Sequence, residues 1–407
     1  MAANMATQPS SPLQVPIFLT AGFRFFFLAA GLFSVFAMSA WIVWLAVHDL
    51  GGAFVSEPMS MPLHMWHGHE MIFGYTAAVM AGFFLTAVPN WTGAPSARAL
   101  FVTLAGSIWL AGRFAIWFSA HLDPYLVAAI DLAFIPLLST KIAGNLFKKT
   151  QLRNVIFMGL LIALFTGNLL MHLEWTGWSD DTATSGARLG LFTSAAMIVI
   201  IGGRVVPGFT KNALNRSGYS GRLPETHPLV DRIAILSAVL AALASAFSLP
   251  EVLMGVICLV AGSANLLRVL RWRGALTWRE PILWILHLAF AMLAVSYMAF
   301  AAAFLGLAPG EIAALHLMAI GAVGGMTLAM MTRASLGHTG RALVVAKPIA
   351  CAYAAILVAA LVRAFGPDFI GYYAAMYISG GLWIGGFTAY LWTYLPILAG
   401  QRVDGRG

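Results

Sequence analysis

The sequence predicts an all-α polytopic membrane protein, with about twelve transmembrane helices in one bundle and both termini cytoplasmic. Three observations carry this expectation. The chain is 60% hydrophobic and only 9% charged, with a mean hydropathy of +0.85, against about 25% charged residues in soluble domains. Its apolar stretches are long enough to cross roughly 30 Å of hydrocarbon at about 1.5 Å per residue. Lys and Arg gather in alternate loops, as they do on the cytoplasmic side of a membrane.

In chain order the helices are expected at about residues 17–47, 63–88, 98–119, 124–146, 154–174, 187–207, 229–247, 250–269, 281–305, 312–333, 347–364 and 371–396. Pro62, Pro89, Pro124, Pro207, Pro281, Pro309 and Pro348 mark their ends, and Trp66, Trp91, Trp175, Trp178 and Trp278 fall at expected interfaces. Residues 1–16 form a cytoplasmic segment, 17–398 a single transmembrane domain and 399–407 a cytoplasmic tail. The first 16 residues carry no charge and no small-residue cleavage site follows, so the first span is expected to be retained.

The loops after even-numbered helices hold most of the Lys and Arg, among them Lys141, Lys148, Lys149, Arg204, Lys211, Arg271, Arg273 and Arg341, with Arg402 and Arg406 in the tail. The opposite side offers Arg188 and Arg363 among acids that include Asp49, Glu57, Glu174, Glu311 and Asp368. Topology therefore accounts for the net charge of +8, and no nucleic-acid partner is implied. Cys258 and Cys351 both lie in apolar runs, which excludes a disulfide framework and a thiolate metal site. A faint echo relates Arg204, Gly208, Thr210, Ala213 and Leu214 to Arg333, Gly337, Thr339, Ala342 and Leu343, four helices apart, as three four-helix units would require. The glycine runs GAVGGM (321–326) and GGLWIGG (380–386) read as close helix contacts.

Orientation converts position into depth. In MPLHMWHGHEM (61–71), His64, His67 and His69 open helix 2 at the outer interface. His172 ends helix 5 at the same level, and His316 lies about five residues, roughly 7 Å, into helix 10. Ionisable groups inside spans are costly and usually face a functional interior, so these imidazoles are candidate metal ligands. His64, His67 and Met71 share a helical face, whereas His69 lies about 200° around from His67. Either two sites flank helix 2, or His67 belongs to one site and His69 packs against a carboxylate or backbone. Glu70 is placed to orient a ligating imidazole through its other nitrogen. His287 lies near the cytoplasmic end of helix 9, as a second site or a proton-path residue, and His338 falls in a cytoplasmic loop. Arg113 and Asp131 reach similar depth and are expected to pair; Arg24 is expected to snorkel.

WHGHEMIFGY (66–75), GFFLTAVPNWTG (82–93), IGGRVVPGFT (201–210), WILHLAF (284–290) and ALHLMAIGAVGGMTLAMMTRASLGHTGR (314–341) together resemble the NnrS family of bacterial inner-membrane proteins. The resemblance implies twelve helices, haem and copper, and a role in the nitric oxide response, in denitrification or in protection from nitrosative stress. Its motif histidines correspond to His67, His69, His172, His287, His316 and His338. The helix count and the depth of His67 or His69 and His316 are also similar to haem-copper oxidases and nitric oxide reductases, which supports a b-type haem between helices 2 and 10. Helices 6 and 7 lack the histidines of an oxidase binuclear centre.

The expected function is therefore a membrane protein holding haem b and copper that binds, senses or transforms nitric oxide. Its cofactor ligands are expected among His67, His69, His172 and His316, with Arg113 matching a haem propionate and His287 a further metal ligand or proton relay. The electron donor is not legible. The alternative is a twelve-helix secondary transporter whose histidines, Arg113 and Asp131 bind an ion or small solute, although broken helices in two inverted halves are not evident.

Overall fold

The computed structural model describes residues 15–54, 56–146, 152–247, 249–308 and 310–405. Twelve long helices are present: α1 (Gly22–Asp49), α2 (Leu63–Thr92), α3 (Ala99–Trp117), α4 (Pro124–Leu146), α5 (Leu152–Trp175), α6 (Thr182–Arg216), α7 (Pro228–Ala244), α8 (Glu251–Arg271), α9 (Pro281–Phe304), α10 (Ile312–His338), α11 (Lys347–Phe365) and α12 (Tyr372–Ala399). There is no strand among the described residues. Eleven of the twelve are long and apolar enough to cross a membrane. The remaining one, α7, has 17 residues, at the short end of the roughly 17–25 that span a bilayer. Lys148, Lys149, Pro309 and Arg406, invoked above as topology signals, lie outside the described residues.

Proline marks some helix ends and not others. Pro62 precedes the first turn of α2, and Pro124, Pro281 and Pro348 occupy first-turn positions of α4, α9 and α11, where a missing N–H costs nothing. Pro89 and Pro207 were expected to terminate helices but lie inside α2 and α6, and α6 runs on to Arg216. Packed neighbours make such a break in the hydrogen-bond ladder tolerable within a bundle.

The first and last helices close on each other. Arg24, expected to snorkel, is instead buried, and its Nη1 donates to the carbonyls of Leu398 and Gly400 at 2.7 Å each and of Ile397 at 3.3 Å. A guanidinium thus satisfies the free carbonyl end of α12, where the helix dipole also favours positive charge, and the start of α1 and the end of α12 lie on one face, called here the termini face.

Burial divides the helices. The most apolar windows of α2, α6 and α10 are 67%, 83% and 67% buried, and α9 follows at 61%, while those of α4 and α12 are 33% buried. The inner helices α2, α6 and α10 thus recur every fourth element, which agrees with three four-helix units. The sequence echo itself does not survive as structure: Ala213 and Leu214 are helical in α6, whereas Ala342 and Leu343 lie beyond the end of α10. The glycine runs behave as expected, since a Cβ on Gly380 would meet Ile42 and one on Gly386 would meet Ile356.

Candidate cofactor site

The site is built on α2 and α10, each of which widens into a π-helical segment directly after its histidines. In α2 the segment is Glu70–Thr76 and follows His69; in α10 it is Leu317–Gly324 and follows His316. Such segments concentrate at functional sites because the extra residue re-aims the side chains around it. Glycine makes the close approach possible in both. A Cβ on Gly74 would lie 2.6 Å from the Phe33 ring and 2.8 Å from Arg113 Nη1, and one on Gly324 would lie 2.5 Å from the Trp383 indole. The carbonyl of Gly74 accepts from Trp109 Nε1 at 3.0 Å, tying α3 to the widened turn.

His67 and His316 line one cavity of about 450 Å³ enclosed by α1, α2, α6, α10, α11 and α12, within the roughly 300–1,000 Å³ typical of small-molecule and cofactor sites. Their rings are half-buried, being open to this space. His67 stacks on Trp41 with centroids 4.7 Å apart and planes 15° from parallel, and its Nδ1 is buried without a partner. His316 donates from Nδ1 to the Ile312 carbonyl at 2.8 Å. That bond fixes the tautomer and leaves the Nε2 lone pair available to a metal. Trp383 Nε1 and Glu311 Oε2, in the same wall, are also buried without partners. Two guanidiniums reach this cavity: Arg188, ion-paired with Glu311, and Arg363. His64 also lines it but is largely exposed.

His69 points the other way, into a buried polar cluster between α2, α3, α4 and α5. One oxygen of Asp131, Oδ2, accepts from His172 Nε2 at 3.0 Å, His69 Nε2 at 3.2 Å and Asn168 Nδ2 at 2.8 Å. Its other oxygen pairs with Arg113 Nη2, and Arg113 Nη1 donates to Glu70 Oε1 at 2.7 Å. His69 Nε2 also lies 2.8 Å from Asn168 Oδ1, and its Nδ1 lies 3.0 Å from Glu70 Oε1. One ligand atom each from His69, Asp131 and His172 falls within 4.8 Å of the others, a spacing that can hold a metal ion. Two carboxylates against one guanidinium leave one negative charge for the imidazoles to offset, with a proton or with a cation.

The four histidines divide between two neighbourhoods. His67 and His316 share the cavity, and His69 and His172 share the polar cluster. Arg113 pairs with Asp131 as expected, and with Glu70, so its guanidinium is engaged away from the cavity wall. His287 stands apart near the termini face, donating from Nε2 to Thr210 Oγ1 at 2.8 Å, with Nδ1 buried and unpartnered. His338, expected in a loop, is the last residue of α10, with its ring 5.4 Å from Phe23. Sequence reasoning missed Asn168, four residues before His172 and so on the same helical face. It also passed over Arg188 and Arg363, although their position among acids was the signal that they serve something other than topology.

Comparison with known proteins adds one result: a family model described as NnrS protein matches residues 17–402, nearly the whole chain. No curated protein matches it.

Proposed function

The chain belongs to the NnrS family, and from that premise we propose that it is a haem- and copper-containing protein of the bacterial inner membrane that binds nitric oxide in nitrosative-stress protection or denitrification. In this reading His67 and His316 would hold a b-type haem in the large cavity. The termini face, which gathers the basic loops, is cytoplasmic, so the cofactors lie toward the outer surface.

The observation that carries the reading is that two imidazoles from different inner helices line one cavity of about 450 Å³, one with an unpartnered buried nitrogen and the other with its tautomer fixed by a backbone bond. Aromatic and aliphatic walls suit a macrocycle. Arg363 and Arg188, rather than Arg113, are the guanidiniums available to its carboxylates. Copper fits the second cluster, where two imidazoles, a carboxylate and an amide oxygen converge on one point. There Arg113 holds Asp131 by the oxygen turned away from the imidazoles, and Glu70 orients His69. Haem and copper supply sites for diatomic ligands and one-electron transfer; the protein supplies orientation and a dry, charge-balanced surround.

The test is an optical spectrum of the purified protein combined with metal analysis. A Soret band that shifts on adding nitric oxide, with about equal haem and copper content, is expected. A colourless, metal-free preparation that takes up a solute in vesicles would overturn the reading and favour a transporter.

A further inference from the structure

Directly beneath the large cavity, toward the termini face, α1, α2, α6 and α10 line a second, partly open chamber of about 70 Å³. The two spaces share three wall residues, one from each inner helix: Thr76, Ser194 and Val323. These form a neck. Beyond it the walls are Phe, Met, Ile and Val side chains, with the half-buried Met80, Phe83, Ile201 and Met330 at the rim.

The chamber has three hydroxyls, and each is already bonded. Thr76 donates to the Met71 carbonyl at 2.8 Å, Ser194 to the Gly190 carbonyl at 2.8 Å, and Thr327 to the Val323 carbonyl at 2.7 Å while accepting from Tyr75 at 2.7 Å. No unpartnered buried polar atom lines the chamber among the described residues. A water molecule needs two to four polar partners to stay in a protein interior, and apolar cavities large enough for water remain dry and take up apolar guests instead. The large cavity differs on this point, since His67, Trp383 and Glu311 in its wall each carry a buried polar atom without a partner.

We propose that this chamber is a binding and transit site for a small, uncharged, apolar molecule of diatomic size, which passes the neck of Thr76, Ser194 and Val323 to reach the large cavity. Taking that molecule to be nitric oxide rests on the function proposed above; the dry chamber does not. On this proposal the boundary passes such a ligand; its two hydroxyls have already given their protons to backbone carbonyls and the side chains beyond them are apolar, which disfavours water and ions on the termini side of the cavity.

Two experiments test this separately. Crystals of the full-length protein under xenon pressure are expected to show xenon in the chamber whatever the cofactor content. Xenon bound elsewhere in the molecule but not here would overturn the dry chamber. Flash photolysis of the nitrosylated protein tests the transit role. Met197→Trp, which fills the chamber from α6, and Met330→Trp, which fills it from the half-buried rim, are each expected to slow ligand association at least tenfold with an unchanged resting spectrum. Unchanged association in Met330→Trp, with the chamber filled in its crystal structure, would overturn transit. Absence of a haem spectrum in the wild-type protein would instead count against the proposed function and leave the xenon result to decide the chamber.

Discussion

His67 and His69, two positions apart on α2, serve different neighbourhoods: the first stacks on Trp41 of α1 beside the large cavity, and the second bonds Asp131 of α4 and Asn168 of α5. A separation of two residues turns a helix by about 200°, so no single ion takes both rings. The consequence is separable chemistry. Under the proposed function, alanine at His67 or His316 is expected to abolish the haem absorbance with copper retained, and alanine at His69 or His172 to remove copper with the Soret band intact. Absorbance and metal content of the four purified variants decide it; loss of both cofactors in every variant would contradict two sites.

Arg113 lies in a buried network whose members balance one another. Removing one partner of a buried ion pair leaves an uncompensated charge, which typically costs about 3–5 kcal/mol. Asp131→Ala is therefore expected to lower stability by about that amount in detergent unfolding measurements, and Arg113→Gln combined with Asp131→Asn to lower it less than the sum of the two single changes. Strict additivity would contradict the coupling.

Gly74 sits where α2 widens, and a Cβ there would meet the side chains of Phe33, Arg113 and Glu70. Gly74→Val is expected to destabilise the protein by about 1–3 kcal/mol, the usual range for overpacking. Gly68, where an added methyl group would meet nothing within 4 Å, is expected to tolerate alanine. Melting temperatures of the two variants compare them directly.

Arg363 faces the large cavity from α11. A cation beside a haem favours the reduced state, so, if the large cavity holds the proposed haem, Arg363→Gln is expected to lower the midpoint potential by some tens of millivolts, where about 59 mV corresponds to a tenfold change for one electron. A potential that rises or stays constant would place the guanidinium away from the cofactor.

Much of this architecture was legible. Length and hydropathy identified the twelve long helices, including the 17-residue α7, because burial in lipid leaves a continuous apolar run. Depth along each helix was enough to bring His67, His69, His172 and His316 to one level. Phase was enough to set His67 against His69, although not to say which partners each would meet. The reasons lie in tertiary contacts. Arg24 reads as an end-of-helix cation until α12 arrives to offer its carbonyls, and Pro207 reads as a stop until neighbouring helices support the turn beyond it. The π-helical segments left no composition signal, being made of the same apolar residues as the turns around them.

Those widened turns set a register. Each holds more residues per turn than the helix on either side, so deleting one residue from 70–76 in α2 would let ordinary pitch resume. The preceding turn would then swing by about 100° against everything downstream. His67 would leave its place beside Trp41, and His69 would lose Asp131. The spare residue in α2 works as a spacer that keeps His67 and His69, already set apart by helical phase, each aimed at its own room.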